Sequence, residues 1–444
     1  MLSKSRYLTM AATCFGFLAI NSAFADTTKP CLPYLSTPPN QASMLAPKET
    51  HTQQVHTYIL PATPATTQWG IFDNSHPTVL TINSGDTVVI ETMAASDNMV
   101  VPGGATIQQI IKMKDEAPER GPHTLTGPIY INGAEPGDVL KIHFNKIIPR
   151  PYASNDIVPG KGLFPKEFPN GVVKYFYLNI KKMQMQFAPG IIVPLAPFPG
   201  VIAVARAENG KFDSIPPGPF GGNMDLRELT QGTTLFLPVF KKGALLWTGD
   251  SHAGQGNGEI DLTAIETAFA EFSITVNLVK HKALTWPRAE TKTDWIAMGY
   301  DKNLNKAFNI ARSQTLQLIM DLRKVSKPAA EKMMMSTWNC PISEVVNGVQ
   351  GVYCMFPKNP NAKAFLLPSA DTQSEFVTTG KNADLEEAMK TAAMAMIKKL
   401  EKEKNMDAVD AYMLSSFTLD CRIGKYVSGD KEVHCMMAKS LWQH

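Results

Sequence analysis

The chain has 444 residues, 44% of them hydrophobic and 19% charged, with a formal net charge of +3. That balance excludes wholesale disorder, and so small and dispersed a charge offers no basic face to nucleic acid or to an anionic membrane. The length leaves room for two or three structural units around sizeable cores.

Lys4 and Arg6 open the chain, an apolar run follows from about Tyr7 to Ile20, and Ala23-Phe24-Ala25 supplies a small-x-small cleavage pattern. The run is too short to span a bilayer, and no later stretch approaches about 18 uninterrupted apolar residues. Residues 1–25 are therefore expected to be a signal peptide, and the mature protein to be periplasmic or secreted without stable membrane insertion. Residues 26–54, rich in Pro, Thr and Ser, form a loose lead-in.

From residue 55 to 323 the pattern is β-like. "TVLTINSGDTVVIET", "GPIYINGAEPGDVLKIHF" and "TTLFLPVFKKGALLWTGD" each place two apolar runs on either side of a turn, which predicts three hairpins. "FAEFSITVNLVK" alternates with period two and predicts a further strand. Repeated strand–turn–strand units at this spacing suggest a sandwich or jelly roll.

Beyond about residue 300, "LNKAFNIARSQTLQLIMDL" and "DLEEAMKTAAMAMIKKLEKEK" carry apolar residues at helical spacing. In the second, Leu385, Met389, Ala392, Met396 and Leu400 make one stripe, with acids at its start and lysines at its end, as the helix dipole prefers. The segments 295–311 and 376–392 align without gaps, a weak duplication of a strand–helix unit. The stretch between them, 324–375, is expected to be an insertion, and 376–444 to complete the core.

Five cysteines follow the leader: Cys31, Cys340, Cys354, Cys421 and Cys435. In an oxidising compartment the local pairs Cys340–Cys354 and Cys421–Cys435 would each close a loop of about 15 residues, worth about 3 kcal/mol in the chain-entropy estimate. Zinc–thiolate sites are the alternative, though no Cys-x-x-Cys spacing exists.

The densest chemistry lies in "GDSHAGQGNGE", Gly249–Glu259, with two carboxylates, a histidine and four glycines in eleven residues. On a strand, Asp250 and His252 project from one face, and the glycines let the backbone return Glu259 toward them. Such a set suits zinc or another divalent ion acting on water. It suits equally a polar loop in which Asp250 caps backbone amides. Asp225 is a further ligand or a helix N-cap, His123 a ligand or a hydrogen-bonded core residue, and Glu135 a general acid–base or a turn residue. No Gly-x-Ser-x-Gly elbow or Walker loop is present.

These blocks resemble the acetamidase/formamidase family. The resemblance rests on "PHTLTGPIYINGAEPGDVL", "FAPGIIVPLAPFPGVIAVA", the run from "PPGPFGGNMDLREL" through "GDSHAGQGNGE", "WPRAETKTDWIAMG" and "DAYMLSSFTLDCRI". It covers about 56–323 and 376–440. It implies a mainly β fold, a jelly-roll-like β-sandwich with an accompanying α/β portion and C-terminal helices. It further implies hydrolysis of small linear amides to carboxylate and ammonia, a divalent metal with zinc the usual expectation, and a homo-oligomer. By motif Asp225, Asp250, His252, Glu259 and His123 fall on the family's acidic and histidine positions. The expectation is a metal held by Asp250, His252 and Asp225 or His123, a proton relay through Glu259 or Glu135, and substrate contacts from His123, Asn223 and Gln255. Asn257 departs from the family, whose block has aspartate there. A non-catalytic binder that lost its activity with that aspartate is the alternative expectation, and hydrolysis of another C–N or C–O bond a third.

Overall fold

The computed structural model describes residues 54–362 and 365–442. The expected signal peptide, almost all of the lead-in, and Cys31 lie outside them. Among the described residues the fold is mainly β, as expected, and no helix is long and apolar enough to cross a membrane.

Two large sheets carry it. The first has eight strands, in spatial order Thr57–Leu60, Thr87–Ile90, Phe269–Val279, Val139–Pro149, Thr234–Pro238, Arg288–Glu290, Asp294–Asp301 and Gln350–Pro357. The second has eleven, and its centre runs Tyr152–Ile157, Glu266–Thr267, Leu246–His252, Phe198–Val204, Gly221–Asn223, with Thr124–Ile131 also paired to Leu246–His252. Their shared core joins Ile90, Phe144, Leu235 and Phe272 of the first sheet to Leu125, Ile129, Val201 and Trp247 of the second, all fully buried. Each such side chain contributes roughly 1.5–3 kcal/mol relative to exposure.

The three expected hairpins have their strands and turns but not their pairing. Leu80–Ile82 belongs to the second sheet and Thr87–Ile90 to the first; Thr124–Ile131 and Val139–Pro149, and Thr234–Pro238 and Leu246–His252, divide the same way. Each turn is a corner that carries the chain across the core. At the first, the Asp86 carboxylate accepts from the amides of Asn83 and His56, and Gly85 donates to Val276 O. The turn is fixed by contacts outside its own two strands. Period-two alternation shows one buried face per strand, and two strands facing each other across a core alternate just as a paired hairpin does.

The C-terminal part is an internal repeat. Asp294–Asp301, Leu304–Arg323 and Lys327–Ser336 recur 81 residues on as Glu375–Asn382, Leu385–Lys404 and Ala408–Thr418. The long helices start on side-chain caps at equivalent positions, Asn303 and Asp384, and end on left-handed Lys324 and Asn405. Gly299 and Gly380 lie against the backbone of these helices so closely that a Cβ would come within 2.4 Å and 1.9 Å of it. Cys340–Cys354 and Cys421–Cys435 are both disulfides, the local pairing expected. The two copies meet about a local two-fold: Ile342 N–H donates to Cys421 O, and its counterpart Ile423 N–H to Cys340 O.

The segment 324–375, expected as an insertion, is thus largely the second half of the first copy, and its strand Gln350–Pro357 is an edge of the eight-stranded sheet. The helix stripe Leu385, Met389, Ala392, Met396 and Leu400 is buried as its spacing predicts.

Candidate metal and amide site

The strand Leu246–His252 changes neighbour at Asp250. Up to Gly249 it pairs with Leu125, and from Ser251 with Glu266–Thr267, while its other edge follows Phe198–Val204 throughout. At that break Asp250 adopts φ +50°. Asp225 and Glu259 are also left-handed, at +44° and +49°. Non-glycine residues rarely adopt this region, and strain of this kind collects where side chains are aimed for function.

His252 is the hub. Its Nδ1 is 2.9 Å from Gln255 Oε1, so Nδ1 carries a hydrogen donated to the amide oxygen, and in the neutral ring the lone pair is on Nε2. Around Nε2 stand Asp250 Oδ2 at 3.2 Å, Glu266 Oε1 at 3.3 Å and Glu259 Oε1 at 4.0 Å. Asp225 Oδ1 lies 3.8 Å from Nδ1. Asp225, Asp250 and His252 form one group able to hold a metal ion, and His252, Glu259 and Glu266 a second.

Four carboxylates around one buried imidazole are far from electrically balanced. Burial, then the neighbouring carboxylates, push Asp225 and Glu259 well above their ordinary values. Burial also raises Asp250, but the His252 and His123 imidazoles outweigh it and hold that carboxyl down at about 2. For His252 burial favours the neutral ring, yet Glu266 and Asp250 prevail and move it well above 6.5. A divalent cation would neutralise this excess. Two buried polar atoms without a hydrogen-bond partner, Asp225 Oδ1 and His252 Nε2, face into the cluster. The donor set of imidazole and carboxylate oxygens suits zinc.

Gly200 forms the floor. It lies opposite Asp250 in the neighbouring strand, and a Cβ there would meet Asp250 Oδ2 at 2.3 Å, His252 Cε1 at 2.7 Å and Asp225 Oδ1 at 2.8 Å. Gly200→Ala is expected to leave the fold intact and weaken metal affinity by at least about tenfold, as disturbance of ligand orientation does. Isothermal titration with zinc checks this; wild-type affinity in the variant would contradict it.

His123 stands at the rim, Nδ1 on Ser214 Oγ and Nε2 3.9 Å from Asp250 Oδ2. Asn223 is buried next to Gly200, its Oδ1 unpartnered. Gln255, expected to meet substrate, is spent within the protein: its Oε1 holds His252, and its Nε2 reaches Asp225 O and Ser343 O at 3.4 Å each. Glu135 is not brought to the site. It is exposed at the corner beyond Ile131, roughly 25 Å along the strand from Thr124, its amide donating to Asp138 Oδ2. Asn257 is engaged with the neighbouring hairpin: its Nδ2 donates to Ile342 O at 2.6 Å.

The sequence profile of the acetamidase/formamidase family matches residues 66–210 and 205–436. The chain belongs to the acetamidase/formamidase family. The match runs through the segment 324–375. Curated relatives include an acetamidase of Mycolicibacterium smegmatis, 25% identical over 46% of this chain and 64% of the relative, and a putative formamidase of Schizosaccharomyces pombe, 27% identical over 46% and 63%. The chain thus spans less than two thirds of each. Among solved structures, an acetamidase from Bacillus halodurans aligns at TM-score 0.61 and 26% identity, over 67% of this chain and 97% of that one. An acetamidase from Yersinia enterocolitica aligns at 0.63 and 26%, over 69% and 93%. A gamma lactamase from Delftia acidovorans shares the fold at TM-score 0.61 and 16% identity, over 87% and 94%.

Proposed function

We propose that this protein is an exported, metal-dependent amidohydrolase that cleaves the C–N bond of a small linear amide to carboxylate and ammonia. The observation that carries the proposal is the buried cluster around His252 in a chain of this family. Asp225, Asp250 and His252 would hold a divalent cation, zinc by its donor chemistry, with Glu266 beside them. When bound, such an ion supplies a Lewis acid for the amide carbonyl and acidifies water. Gln255 fixes the His252 tautomer through Nδ1. Glu259 takes a proton from the attacking water and gives it to the amide nitrogen as the C–N bond breaks, so that nitrogen leaves as ammonia rather than as an amide anion. His123 and Asn223 border the space that substrate would fill. The leader pattern and the two disulfides support export.

The test is elemental analysis of purified mature protein with an ammonia-release assay on formamide, acetamide and propionamide. Fully metal-loaded protein that releases no ammonia from any of them overturns the proposal. Removing the metal with a chelator should abolish turnover and lower the melting temperature, more at about pH 8 than at about pH 5. Without a cation, Asp225 and Glu259 hold protons more tightly in the folded state than at their ordinary values of 3.8 and 4.5. The unfolded chain then binds fewer protons, and folded stability falls as pH rises from about 4 toward neutrality. Equal drops measured by calorimetry at both pH values would contradict this.

A further inference from the structure

Asp225 is held from the other half of the chain. Asn347 Nδ2 donates to Asp225 Oδ2 at 2.7 Å. The other oxygen, Oδ1, has no partner and faces His252 and the bare backbone of Gly200. A carboxylate with one oxygen tied presents the other in a fixed direction, whereas an untied one turns about a broad terminal torsion. Asn347 therefore decides which oxygen of Asp225 is offered to the cluster.

The hairpin closed by Cys340–Cys354 brings Asn347 there. It pairs with the loop that carries Glu259: Gly258 N–H donates to Ser343 O at 3.0 Å, and Val345 N–H to Gly258 O at 3.1 Å. Asn257 and Gln255 tie the same hairpin through Ile342 O and Ser343 O. Directly after Asn347, Gly348 turns the chain at φ +69°. Glu344, fully buried, lies within range of Asp225's charge and beside the amides of Val346 and Asn347, with neither oxygen in an aligned hydrogen bond.

The internal repeat supplies a control. The equivalent hairpin, Cys421–Cys435, has the same disulfide spacing and the same left-handed glycine, Gly429 at +75°. Where the first copy has Glu344 and Asn347, the second has Lys425 and Ser428, and Lys425 pairs with Asp430 at the surface. This hairpin fold therefore needs neither Glu344 nor Asn347. Both occur in the copy packed against the site and not in the other.

We propose that Asn347 is a positioning residue for Asp225, delivered to the metal site by the disulfide-closed hairpin 340–354; this rests on the metal-holding role of Asp225. The test is zinc titration of the full-length apoprotein by calorimetry, with the absorption spectrum of the cobalt-substituted form. Asn347→Ala should weaken zinc binding by roughly 10–100-fold at unchanged stoichiometry and alter the cobalt ligand-field bands. Ser428→Ala, the equivalent change in the second copy, should do neither. Cys340→Ser with Cys354→Ser should move affinity in the same direction as Asn347→Ala. Asn347 is only partly buried, next to exposed Gly348, so its truncation leaves the core untouched. Zinc affinity and cobalt bands indistinguishable from wild type in Asn347→Ala overturn the positioning role while metal binding stands. Wild-type protein that binds no divalent metal overturns both.

Discussion

Glu259→Gln is expected to lower kcat for amide hydrolysis by about 10²- to 10⁴-fold, the usual contribution of a positioned acid–base group, while bound metal remains. Glutamine keeps the shape of the side chain and one oxygen acceptor but cannot exchange a proton. Glu259 is only 3% exposed, its backbone is left-handed, and burial followed by the charge of Asp225 raises its carboxyl well above the ordinary value. A carboxyl so placed keeps or yields a proton according to the charge near it, which is what transfer from water to a leaving nitrogen requires. Steady-state kinetics with metal content on the same sample decides the matter. An unchanged kcat removes Glu259 from the relay. Joint loss of metal and kcat makes it a ligand and passes the relay to Glu266, which reaches the same His252 nitrogen.

What could be seen in the sequence was what the chain places close together. Asp250, His252 and Glu259 fall within eleven residues, and glycines at 254, 256 and 258 allow the return that joins them. Asp225 lies further upstream, beyond one intervening strand of the sheet, in a block the family resemblance marked. Glu266 was invisible, because it enters through cross-strand pairing with His252, which no local pattern encodes. Gly200 was equally silent: a glycine within an apolar run gives no sign that three donor atoms lie against it. Asn347 and Glu344 sit in a segment set aside as an insertion. The duplication was legible only through 311 and 392, where helix and strand constrain the sequence. Beyond that the copies share the cysteines, the turn glycine and a few apolar positions, and the side chains facing different surroundings have diverged. Corners look like hairpins in the sequence because alternation reports burial and not the partner strand.

Asn257 bears on whether the chain is a silent member of its family. Its side-chain amide is committed to the 340–354 hairpin, and four carboxylates already stand around His252 without it, so the missing charge leaves that cluster its ligands. Its amide is a donor in the wall, to Ile342 O at 2.6 Å and to Tyr353 Oη at 3.3 Å, and its own N–H goes to Leu419 O. Asn257→Asp would replace that donor with an anion facing a carbonyl. Arg227, the nearby cation, is already engaged by Glu228 at 3.8 Å and Asp420 at 3.5 Å. The expected result is destabilisation of about 3 kcal/mol at neutral pH with no gain in activity. Burial would raise the new carboxyl above its unfolded value of about 3.9. The folded variant then holds a proton that the unfolded chain releases, so the loss is small near pH 4 and grows as pH rises. Denaturant titrations of wild type and variant across that range measure it. A variant that is as stable as wild type at neutral pH and releases ammonia faster would show that the aspartate was needed, and that this chain had lost it at the expense of its chemistry.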